Sequence, residues 1–292
     1  MRLERIGRQP YARRLAWWSL IVAVLLATPL HAQERGAILL RIHPDVGDTL
    51  YTRFEQQVEM TGSTRLGDAD TTLEMHTSML MLSRVLVQAE DNDGATVLTI
   101  TDSVSVQSAG GDGAVPSEAA RLAMEGKRLH LRITPEGSAT LLDPPDELTP
   151  DVQAVISQMP ATLPKSAVHV GGSWTQVMSI PLAGQAAQDG ATILQTTYRL
   201  DSLSHDGRIA FISMHGTLSR DSTAAALPHG VRLSSSGNMS GSLRVDRQRG
   251  WWTESTAYIS VKSTLSPPPG RKGNPVHFVV TIVQRMHSSE DP

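Results

Sequence analysis

Long tracts that alternate apolar and polar residues constrain this chain more than any short motif does. Within Leu50–Met60, Leu50, Phe54, Val58 and Met60 share one parity, and Tyr51, Arg53, Glu55, Gln57 and Glu59 share the other. That pattern is a strand with one buried and one wet face. Leu73–Ala89 follows, with Met75, Met79, Met81, Val85 and Val87 in one phase. "EDNDG" then supplies an Asp-Gly hairpin turn into Ala95–Ser108, where Leu98, Ile100, Val104 and Val106 are read as one phase. "KRLHLRIT", the turn "PEG" and "SATLLD" make a further hairpin, and late strands are expected over Val231–Asp246, Trp251–Leu265 and Val276–Met286.

Helical signals are few. "SEAARLAMEG" opens on Ser117, a capping residue, and stops at Gly126. "TPDVQAVISQM" places Val152, Val155, Ile156 and Met159 at helical spacing behind Thr149 and Pro150. Val46-Gly47 before the first strand is answered by Val170-Gly171 before Trp174, and Asp93-Gly94 by Asp206-Gly207. The expectation is a mainly β (α+β) protein, with long antiparallel strands in two similar sheet units or a half-barrel and two or three short helices. Its halves run over about 38–147 and 165–288. Trp174 is expected to anchor the second half, largely buried against Leu148–Met159 or Thr192–Leu200.

The N-terminus reads as an address. Arg2, Arg5, Arg8, Arg13 and Arg14 precede the uncharged Leu15–Leu30, and Ala32 completes a small-residue cleavage site. A basic region, an apolar region and such a site make an export signal, so residues 1–32 are expected to be removed before Gln33. The apolar stretch is short for a span of ~20 residues. The remaining 33–292 would form one β-rich domain without a stable transmembrane segment, in the periplasm or outside the cell. Of the 26 basic and 29 acidic residues, five Arg and one Glu lie in the leader, leaving 21 and 28. That negative balance lacks the basic footprint of a nucleic-acid partner. The chain has no Cys, which rules out disulfides, thiol chemistry and Cys-zinc sites.

Two stretches, "PDVGDTLYTRF" and "MPATLPKSAVHVGGSW", resemble a family of uncharacterised exported bacterial proteins that open on a Val-Gly-Asp turn and carry a mid-chain Val-Gly-x-Ser-Trp motif. The resemblance covers most of Ile38–Ser219, with Gly172 standing where the family tends to have Asp. It implies export and no known chemistry. Long strands and short helices behind a signal are also similar to the half-barrels of periplasmic lipoprotein carriers, a likeness of architecture, which does not fix function.

Catalytic signals are weak. No G-x-S-x-G occurs, and "GNMSG" at Gly237–Gly241 reads as a strand with a thinned face. The His residues are scattered, without H-E-x-x-H or H-x-H. Met75, Met79 and Met81 suit soft-metal chemistry, yet His76 falls on the opposite strand face, and core filling explains them better. Asp143, Asp146, Glu147 and Asp151 surround a loop and helix start, where acids complement the dipole. No catalytic, metal or cofactor site is therefore read. Two surfaces stand out instead. Phe54, Met75, Met79, Met81 and Ile100 form a candidate apolar ligand wall. Trp252 and Tyr258, in phase with Glu254 and Lys262, form a candidate contact surface for an envelope partner. The functional expectation is an exported cell-envelope binding or structural protein without catalysis, holding an apolar small molecule. An enzyme with a dispersed, hydrolase-like site and an outer-membrane barrel are the alternatives.

Overall fold

The alternating tracts become strands, and the strands join into one sheet. The computed structural model describes residues 36–66, 69–110, 117–143, 161–180, 192–220, 230–271 and 273–291. All the strands lie in the unit Ala37–Pro292. They are β1 (Thr49–Leu66), β2 (Ala69–Asp91), β3 (Gly94–Ala109), β4 (Arg128–Ile133), β5 (Ala139–Leu141), β6 (Ser173–Ile180), β7 (Thr192–Leu203), β8 (Ile209–Arg220), β9 (Arg232–Asp246), β10 (Trp251–Ser266) and β11 (Val276–Ser289). One helix, α1 (Ser117–Met124), is present among the described residues and packs beside β3. The helix expected at Thr149–Met159 lies outside them.

The strand order is β5-β4-β3-β2-β1-β11-β10-β9-β8-β7-β6, with every neighbour antiparallel. This corrects the expectation of two sheet units. The last strand returns to pair along the first, from Tyr51↔Ser289 to Ser63↔His277, and fuses both meanders into one open sheet with edges β5 and β6. Alternation predicts strands and their faces but carries no information about which distant strand is the neighbour.

The sheet curls. Gly137, in the β4–β5 turn, lies against the Trp252 indole of β10, although β3, β2, β1 and β11 separate those strands in the sheet. A strap at Ala37–Pro44 ties the same end together. Ile38 exchanges backbone hydrogen bonds with Val168, Ile42 N–H donates to Pro135 O, and His43 N–H donates to Gly250 O. Along the strap Ile38, Leu40, Ile42 and Pro44 point inward and are buried, whereas Leu39 faces out. They meet Val97, Leu163, Leu200, Ile212 and Val245 in the core at the base of the curl.

The two Val-Gly turns are built alike. Gly47 and Gly171 have φ of 96° and 89°, a region open to Gly without a Cβ penalty. Gly47 N–H donates to Val87 O and Gly171 N–H to Leu200 O, while Val87 N–H and Leu200 N–H donate back to Asp48 O and Gly172 O. The Asp-Gly hairpins differ. Gly94 is the first residue of β3, opposite Asp91, whereas Gly207 sits inside a loop closed by Ser204 N–H donating to Ile209 O.

The β9–β10 turn is held by Asp246, which is only 2% exposed. Its carboxylate accepts from the backbone N–H of Gln248 and Arg249 and from Arg208 at 2.8 Å. Burial pushes its pKa up, but the Arg208 guanidinium and the two backbone donors together outweigh burial and leave it below the usual Asp value. A depressed folded pKa gives stability that is present above the unfolded value and lost as pH falls through the folded value. Asp246→Asn should therefore cost about 2–3 kcal/mol at neutral pH. Denaturant titrations over a pH series should show that gap closing below the ordinary carboxylate range; a pH-independent gap would contradict the assignment.

Candidate functional site

Strand register sorts side chains onto two faces. On the concave face Phe54 sits between Met81 of β2 and Met286 of β11. Met79 lies beside Gln56, and Met75 beside Met60, in the same alternation. Farther from the base the face continues through Val58, Ile282 and Ile259, then Met60, Val280 and Val261. These outer residues are half-buried, and among the described elements no strand or helix outside the sheet packs on them. The convex face is mixed: β1 shows Glu55, Gln57 and Glu59 there, β9 shows Ser236, Asn238 and Ser240, and β10 shows Lys262, whereas Leu82, Tyr258 and Val279 are exposed apolar side chains on the same face.

Ile100 does not belong to the wall. Leu82 pairs with Ser103 but Ser83 pairs with Thr101, so Asp102 is an extra residue in β3. Such a bulge flips the alternation of all that follows. Val104 and Val106 are concave, while Ile100, opposite Arg84 and Arg128, is convex. Asp102 itself turns outward to hold Arg84 through both oxygens at 2.9–3.0 Å.

A second bulge overturns the Trp252–Tyr258 surface. Trp252 pairs with Val245 and Glu254 with Arg244, which leaves Thr253 unpaired. Trp252 consequently shares the concave face with Ser255 and Ala257, whereas Tyr258 stays convex and 49% exposed. The two rings look in opposite directions and make no common patch.

At the base of the concave face is a cavity of about 250 Å3, walled by Phe54, Leu243, Trp252, Ala257, Gln284 and Met286. Thr162 controls one wall. Its hydroxyl accepts from Trp252 Nε1 at 3.2 Å, and its carbonyl accepts from Trp174 Nε1 at 3.0 Å. The backbone N–H groups of Thr162 and Leu163 both donate to Glu136 O. Trp252 packs edge-on against Trp251 with centroids 5.1 Å apart, and Trp174 stacks on Tyr198 at 5.7 Å. Trp174 packs on Tyr198 of β7 but is only half-buried, short of the largely buried anchor expected. Leu148–Met159 lies outside the described residues.

Residues 150–252 match a family model described as "Family of unknown function (DUF6263)". No curated protein matches the chain. Among solved structures it is similar to a lipovitellin, described for its lipid–protein interactions, at 11% identity and a TM-score of 0.48. That match covers 85% of this chain and only 26% of the lipovitellin. It also matches the outer membrane protein OprG from Pseudomonas aeruginosa at 10% identity and a TM-score of 0.25, over 85% of this chain and 97% of that one. The COG4313 outer membrane channel from Pseudomonas putida F1 matches at 10% identity and a TM-score of 0.21, over 84% and 96% of the two chains.

The sequence did not point to the strap, to Thr162 or to Gln284. Only the strap had a legible signal, the alternation of Ile38, Leu40 and Ile42 with Leu39, Arg41 and His43. Among the described residues no group of three or more His, Asp or Glu side chains is placed to hold a metal ion.

Proposed function

We propose that this chain is an exported, non-catalytic binding protein of the cell envelope that holds an apolar ligand on the concave face of its open sheet. The observation that carries the reading is the half-exposed apolar wall Val58, Met60, Ile282, Val280, Ile259 and Val261, which runs outward from the cavity under Trp252. Apolar concavities with a few polar groups are the usual form of a small-molecule site.

An environment-sensitive naphthylamine dye, whose fluorescence rises in apolar sites, tests the proposal. Ile282→Asp on the concave face should abolish the signal, and Val279→Asp on the convex face should leave it intact. Equal dye binding by both variants would sink the reading. Export carries its own test: intact-mass analysis of protein recovered from a secreting bacterial host should show a chain beginning at Gln33, and a chain retaining Met1 would refute it.

A further inference from the structure

We propose that the ligand is a long-chain acyl ester whose carbonyl is read by Gln56 and Gln284; this inference rests on the apolar-ligand reading above. The two glutamines are direct cross-strand partners of β1 and β11 on the concave face. One row nearer the base lie Phe54 and Met286, and one row farther out lie Val58 and Ile282. The nearest other polar side chains in these rows are short hydroxyls, Ser255 beside Met286 and Thr77, bonded to Ser108, beside Val58, so Gln56 and Gln284 are the amides of this part of the wall. Both are half-buried, and among the described residues neither side chain has a hydrogen-bond partner.

Both amides stay open to water, so a ligand that covers them must replace those hydrogen bonds, which a hydrocarbon cannot do. Along the same row the concave neighbours are Met79, Ala257, Gly241, Met214 and Tyr198, none of them charged. A neutral acceptor matches that setting; Arg285, which also borders the cavity, is the cross-strand partner of Glu55. Gln284 and Ala257 both border the cavity at the base, so the small Ala257 leaves depth beside the amide. An ester carbonyl can accept from the amide NH2 groups while its chain lies along the apolar rows.

Displacement of the naphthylamine dye by methyl decanoate and by tridecane, which have equal numbers of non-hydrogen atoms, tests this. In the full-length mature protein, Gln284→Met and Gln56→Met should each lower the ratio of ester to hydrocarbon affinity, by about tenfold in the double variant, the scale of one hydrogen bond. Tridecane affinity should hold or rise. Gln284→Asn, which withdraws the amide but keeps it polar, should lower the ratio too, and it serves if a Met variant does not fold. An unchanged ratio in these variants overturns the inference and leaves the apolar-ligand reading standing. Failure of the wild type to bind either probe overturns both.

Discussion

Trp252→Ala is expected to destabilise the fold by about 3 kcal/mol, toward the low end for truncating a packed Trp because the ring is half-buried. Strand parity alone makes this residue a surface aromatic whose loss is silent. The bulge at Thr253 turns it inward, where it packs on Trp251, crosses the cavity to Gly137 and donates to Thr162. Thr162→Val should cost about 1 kcal/mol, since it removes one hydrogen bond and keeps the shape. Urea titrations of both variants would decide it. A loss below about 0.5 kcal/mol for Trp252→Ala, the range of ordinary surface substitutions, would mean that the indole is not a wedge between β10 and the β4–β5 turn.

Leu40→Ala and Ile42→Ala should each cost about 2–5 kcal/mol, while Leu39→Ala between them should change stability by about 0.5 kcal/mol or less. Leu40 and Ile42 are each 1% exposed and Leu39 is 46% exposed, so the contrast isolates burial from position in the chain. The strap is short, but it bonds to Val168, to the β4–β5 turn and to the β9–β10 turn, so a cavity there loosens three parts of the base at once. Thermal melts would show the two inward variants lowered and the outward one unmoved. Three equal, small shifts would mean that the strap lies on the core without filling it.

Local chemistry made much of the strand layout legible. The late strands expected over Val231–Asp246, Trp251–Leu265 and Val276–Met286 correspond to β9, β10 and β11, with three of the six ends coinciding and the others off by one to three residues. Gly, Asp and Pro punctuate those tracts, and period-two alternation is a property of each strand alone. Where the face assignment failed, it failed at bulges. One extra residue at Asp102 or Thr253 inverts the parity of a whole segment, and nothing in "TDS" or "WTE" distinguishes it from regular strand.

By itself, the sequence determined that the protein is mainly β, which residues begin and end most strands, and that its two Val-Gly turns need positive φ. Each of these rests on interactions between near neighbours in the chain. The tertiary structure decided that the strands make one sheet, that β11 closes against β1, and that Trp252 faces the cavity while Ile100 does not. It also decided that Gln56 and Gln284 stand side by side. These are facts of long-range register: hydrogen-bonded pairing brings together residues more than two hundred positions apart, and the energy that selects one pairing is collected over the whole buried base at once.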